Sequence, residues 1–281
     1  GTTTISGSFS SVGGTFAHNN ATMYFTSSAA ETVAASGTPF TNNFYNLRFT
    51  GSGSWSFLDT SATTSNNLFI TQGTVTFPSN TLSIGGSLTQ SGGSFAHNSG
   101  TVKFTNAATQ TIDINSSSFN SLSFTGAGSR SFVDASVTVL GNVSVTGGTL
   151  VLPSGTLALG GSFTNTATTT HNSGTVLFNS TDGGETISLG NSSLYNMTFN
   201  SLTGGWTIAA HATTTNNFTL STTSTFTLAS GQTLAVGGVF TNDTKNASTT
   251  STGSTLSLEA GNYSINSKSN NGDTYGTLRV K

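Results

Sequence analysis

The sequence predicts an all-β fold: a single elongated parallel β-helix (β-solenoid), right-handed because strand crossovers prefer that hand. Three observations predict it. Apolar residues alternate with polar ones in short runs, as in Thr101-Val102-Lys103-Phe104, Thr111-Ile112-Asp113-Ile114 and Ser121-Leu122-Ser123-Phe124. That two-residue period is the signature of a strand. The chain also repeats itself over a long period. Within each long repeat, brief strand-like triplets alternate with short turns, and such strands bury a face only by stacking.

The first observation is supported by composition. The 281 residues include 100 Ser and Thr, 34 Gly and 27 Asn, and only 6% are charged. Such polarity often means disorder, but 33% of residues are apolar, 20 of them Phe, and disordered chains are poor in aromatics. Thr, Ser, Gly and Asn are weak helix formers, and no stretch has the helical apolar period. A net charge of −2 excludes the basic footprint of a nucleic-acid binder. No apolar run reaches the ~18 residues of a membrane-spanning helix, so no membrane insertion is expected. There is no cysteine, hence no disulfide or thiol chemistry. The chain begins at Gly1 rather than Met, and a preceding segment is expected to have been removed or left out.

The long period follows from matching letters. His18, His97 and His171 head TFAHNNATMYF, SFAHNSGTVKF and TTHNSGTVLF. Phe44, Phe119 and Leu194 open FYNLRF, FNSLSF and LYNMTF, and Trp55, Arg130 and Trp206 follow each. The pairs Gly85-Gly86, Gly160-Gly161 and Gly237-Gly238 recur in LSIGGSL, LALGGSF and LAVGGVF. We read one continuous solenoid over 1–281, with long repeats at approximately 16–94, 95–170 and 171–248 and partial repeats at 1–15 and 249–281. Each long repeat is expected to hold about four coils of roughly 18 to 22 residues. Alternate apolar side chains fill the interior, Thr and Ser line the outside, and Asn and Gly turn corners because both tolerate positive φ. Tandem β-sandwich domains are the alternative.

On this architecture the three histidines share one edge, about 19 Å apart at ~4.8 Å per coil, too far to hold one zinc ion. H-N-S-G then reads as a corner. The nine carboxylates (Glu31, Asp59, Asp113, Asp134, Asp182, Glu185, Asp243, Glu259 and Asp273) show no cluster with basic residues of the kind a polysaccharide-cleaving site needs. Phosphate-binding, dinucleotide, calcium-repeat and serine-nucleophile motifs are absent. We therefore expect no enzyme, no catalytic residue, no cofactor and no metal. Trp55 and Trp206 are equivalent, with Arg130 in the middle copy, so this position is expected to be partly exposed and to offer a ring to surface glycans. Thr2, Thr3, Thr4 and Ile5 at one end and Leu278 and Val280 at the other read as bare strands, candidates for self-assembly. No polar or helical cap is visible at either end.

The segments FYNLRFTGSGSWSF, ATTTNNFTL, TLAVGGVFTN and HNSGTVLFN resemble the Thr/Ser/Gly/Asn-rich repeats of large secreted or surface proteins of bacteria, notably of the candidate phyla. The closing stretch GNYSINSKSNNGDTYGTLRVK departs furthest from that pattern. The resemblance implies an extracellular or cell-surface, elongated, β-rich protein used in adhesion, coating or filament formation, and supplies no catalytic residues. The expected function is a non-enzymatic surface filament or surface-layer subunit whose partner is itself, stacked head to tail. A cell-surface adhesin stalk or carbohydrate-binding module is the alternative.

Overall fold

The structure is a computed structural model, which describes residues 1–11, 16–35, 43–244, 249–260 and 273–281. Thr15 of the first histidine motif and residues 261–272 of the divergent closing stretch lie outside the described residues. The described residues contain strands and no helix. They form two compact units, Gly1–Asp134 and Ala135–Lys281. Within each unit the strand pairings are parallel, which a sandwich of antiparallel sheets would not give. The fold is a β-solenoid.

In the first unit successive strands step around three sheets. The first stacks Thr2–Ile5, Thr22–Phe25, Asn46–Phe49, Leu68–Ile70, Leu88–Gln90, Gln110–Asp113 and Ser129–Phe132. The second stacks Phe9–Ser10, Ala30–Ala34, Ser54–Phe57, Thr74–Thr76 and Ser94–Ala96. The third stacks Ser61–Thr64, Thr81–Ile84, Thr101–Phe104 and Ser121–Phe124. The second unit winds likewise. One of its sheets runs through Thr156–Leu159, Thr175–Phe178, Asn196–Asn200 and Phe218–Thr222, and another through Phe163–Asn165, Glu185–Ser188, Gly205–Ile208 and Thr225–Leu228.

Alternation does what the sequence predicts. In Thr101–Phe104 and Asn46–Phe49 every second side chain is buried. Parallel in-register pairing then puts like on like, so Phe25 meets Phe49, Phe104 meets Phe124 and Phe178 meets Phe199. Those rings stack at centroid distances of 4.9, 5.4 and 4.8 Å. The spacing of the coils is the spacing of aromatic stacking.

Coil length differs in one respect from the expected 18 to 22 residues. Leu68 pairs with Leu88 at an offset of 20, but Leu88 pairs with Ile112 at 24. The extra residues sit in the corner after the histidine-motif strand. There Thr105-Asn106-Ala107-Ala108-Thr109 replaces a three-residue corner such as Gly85-Gly86-Ser87. The second unit repeats this with Asn179-Ser180-Thr181-Asp182-Gly183-Gly184, and Phe163 pairs with Ile187 at 24.

The glycine pairs are needed for a reason other than the expected positive φ. Neither Gly85 nor Gly86 has positive φ. A Cβ on Gly85 would lie 2.0 Å from the Ser65 carbonyl oxygen of the coil below. Corner backbones stack so closely that no side chain fits between them. Asparagine bridges the same corners from its side chain. The Asn67 N–H donates to Asn46 Oδ1 at 3.0 Å, and the Ser87 N–H donates to Asn67 Oδ1 at 2.7 Å. This ladder satisfies backbone donors that a corner leaves without a strand partner.

Candidate functional site

The tryptophan position lies inside the coil. Trp55 and Trp206 are each 1% exposed, and Arg130 is fully buried. This corrects the expectation of glycan-stacking rings: neither indole presents a face to solvent. The cause is strand parity, since Trp55 shares its face with Phe57 in Ser54–Phe57, and Trp206 shares its face with Ile208 in Gly205–Ile208.

Arg130 occupies this apolar slot with four neutral acceptors. Its Nε–H donates to Gln110 Oε1 at 2.8 Å, and Nη1 donates to the Gly126 and Gly128 carbonyls at 2.6 and 2.8 Å. Nη2 donates to the Asn106 carbonyl. Gln110 is itself saturated, donating from Nε2 to the Gly85 and Gly86 carbonyls, both at 2.7 Å. Burial pulls the Arg130 pKa below its ordinary value. Gln110 was missed in the sequence, yet a signal was there. It is the repeat equivalent of Glu31 and Glu185, and these three pair in register with Arg130, Trp55 and Trp206 respectively. Where the partner is Trp, the carboxylate hydrogen-bonds serines instead: Glu31 accepts from Ser8 and Ser27, and Glu185 from Ser162. Where the partner is Arg, a buried glutamine meets it.

The histidines are corner residues, as expected, but His18 and His97, both in the first unit, do not share an edge. The strand after His18, Thr22–Phe25, lies in the first sheet, whereas the strand after His97, Thr101–Phe104, lies in the third. Counting the bridge at Phe44, eleven strand positions separate the two among the described residues. At three to a coil, this long repeat is three and two-thirds coils, not four, so within the first unit the matching letters lie on different faces. The imidazoles do corner work. Nδ1 of His18 accepts the Asn20 N–H at 3.0 Å, and Nδ1 of His97 accepts the Ser99 N–H at 3.1 Å. The intervening Asn19 and Asn98 have positive φ, a conformation asparagine tolerates. His18 stacks on Tyr45 and His171 packs on Tyr195. No group of three or more His, Asp or Glu gathers for a metal among the described residues.

The carboxylates also serve backbone. Asp59 Oδ2 accepts the Ala35 N–H at 2.5 Å and Asp134 Oδ2 accepts the Ile114 N–H at 2.7 Å. Asp113 also accepts a backbone N–H, that of Asn115, but its surroundings oppose its charge. Its pKa is raised, first by burial and then by the neighbouring Asp134 charge. A raised carboxylate binds its proton more tightly in the folded chain, so its charge costs stability at neutral pH, and the cost fades as pH falls through the raised pKa. Asp113→Asn is therefore expected to melt higher than the wild type at pH 7 and to converge with it in acid. Thermal melts across that range check this.

The proposed assembly residues are strands open on one edge. Among the described residues Thr2–Ile5 pairs only with Thr22–Phe25 in its sheet order, and Thr274–Val280 pairs only with Thr249–Leu258. Leu278 and Val280 stand in register with buried Leu256 and Leu258, yet are 46% and 48% exposed. Thr2, Thr3 and Thr4 are exposed and Ile5 is half-buried. Beside Thr274–Val280 the interior turns polar: Asn242 Nδ2 donates to Asp273 Oδ2 and to the Tyr275 hydroxyl at 3.1 and 2.7 Å, and Thr249 and Ser251 are buried.

Comparison with protein-family models, with curated proteins and with solved structures gives no match. The functional reading therefore rests on geometry.

Proposed function

We propose that the protein is a non-enzymatic structural building block of an extracellular or cell-surface assembly, which stacks coil on coil with further copies into a filament or surface layer. The observation that carries this reading is the pair Leu278 and Val280, at interior register positions but open to solvent. A parallel strand added to that edge makes the hydrogen bonds every other coil makes and covers both side chains. The low charge of the chain supports the reading, since little repulsion opposes close packing of copies. So does the resemblance of its repeats to those of secreted and surface bacterial proteins.

Sedimentation and negative-stain microscopy across a concentration series test it. Wild type is expected to form end-to-end oligomers that grow with concentration, and Leu278→Lys with Val280→Lys is expected to remain a monomer. Both positions are exposed, so the double variant should fold. A wild type that stays strictly monomeric at every concentration would end the proposal. The second reading, an adhesin stalk or glycan-binding module, is favoured by a different feature of the outer face, described next.

A further inference from the structure

The outer face of the first sheet carries one column unlike the rest. Tyr24, Arg48 and Phe69 are register partners on three successive coils. They alternate with the buried Met23, Phe25, Leu47, Phe49, Leu68 and Ile70, which places them on the solvent side. The Arg48 guanidinium lies between the rings, its central carbon 5.8 Å from the Tyr24 centroid and 5.3 Å from that of Phe69. Equivalent positions in the other repeats hold Lys103, Ser123 and Ser144, and Leu177, Thr198 and Thr219. The cation between two rings is therefore no requirement of the fold. It occurs once among the described residues, on a chain with seven basic residues in all.

Arg48 also lacks what a structural arginine has. Arg130 makes four hydrogen bonds, to Gln110 and to three loop carbonyls, whereas the Arg48 Nε–H is buried with no acceptor. No carboxylate among the described residues pairs with it, and no hydrogen bond satisfies its Nη groups. A guanidinium held between aromatic faces has already lost its rotamer freedom and is partly desolvated, which favours an incoming oxyanion. The columns beside it are polyol-like. The Thr71 hydroxyl donates to the Phe49 carbonyl at 2.9 Å and that of Thr50 to Phe25 at 3.4 Å, which leaves their oxygen lone pairs to accept.

We propose that Tyr24, Arg48 and Phe69 form a binding site for an acidic polysaccharide, with Arg48 taking the carboxylate of a uronic-acid residue as a bidentate pair. The ring edges then meet sugar C–H groups, and the threonine oxygens accept from sugar hydroxyls. A polymer bearing isolated single charges suits one cation. Nucleic acid would need several phosphate contacts, which this face does not offer. The site is independent of coil-on-coil assembly.

Titration of the purified chain with an oligogalacturonate at low salt tests it, with a neutral glucose oligomer and inorganic phosphate as the other probes. The uronate is expected to bind and the other two not. Arg48→Thr, which places there the residue of the third repeat, is expected to weaken binding at least about tenfold with an unchanged circular-dichroism spectrum. Arg48→Lys is expected to weaken it as well, because a point charge lacks the fork. No uronate binding, equal affinity in wild type and Arg48→Thr, or equal binding of the neutral oligomer or of phosphate would each overturn the proposal.

Discussion

Arg130→Ala is expected to destabilise the first unit by at least about 1–3 kcal/mol, the range for leaving buried hydrogen-bond partners unsatisfied, read as a fall in the urea midpoint. The guanidinium is fully buried and donates to Gln110, Gly126, Gly128 and Asn106. Truncation leaves a cavity and orphans those oxygens in an interior that water does not reach. The repeat supplies its own rescue. Trp55 and Trp206 fill the equivalent slot opposite Glu31 and Glu185. Arg130→Trp combined with Gln110→Glu is therefore expected to be more stable than either change alone. A double-mutant cycle measures that coupling, and additive singles would show that the two positions do not compensate.

Phe199→Ala is expected to cost about 3–5 kcal/mol in the second unit, the range for a buried phenylalanine. Phe199 is a hub. Its ring stacks on Phe178 at 4.8 Å and meets Trp206, Phe226 and Phe218 at 5.4, 5.1 and 5.5 Å. Stacked coils contact only their neighbours, so the damage should be local first. Hydrogen exchange is expected to quicken in Thr175–Phe178 and Phe218–Thr222, its register partners, before strands further away. Thr198→Ala, one residue along on the outer face, is the control, with an expected change within about 0.5 kcal/mol.

Particular residues show how far the sequence carried. Ser54-Trp55-Ser56-Phe57 and Ser129-Arg130-Ser131-Phe132 place Trp55 and Arg130 on the same parity as a phenylalanine. Parity alone called for burial, but arginine's hydrophilicity argued for exposure. What reconciles arginine with the interior is Gln110 and the Asn106 carbonyl one coil below, together with the nearby Gly126 and Gly128 carbonyls, and partners twenty or more residues away leave no mark beside Arg130 itself. The glycine pairs were legible as corners. Their cause, a carbonyl 2.0 Å from where a Cβ would stand, belongs to the coil beneath. The column of Tyr24, Arg48 and Phe69 lies scattered over 46 positions of chain, and only the register Tyr24↔Arg48↔Phe69 assembles it.

The sequence by itself determined the class of fold, the short strands and the turn residues, because each is encoded by neighbours a few positions apart, and the long repeat, because its letters recur. Tertiary structure decided which letters meet. That depends on the full length of every coil, and in the first unit a repeat of three and two-thirds coils puts His97 on a different face from His18. A difference of one strand position, invisible to local pattern, separates a row from two unrelated corners.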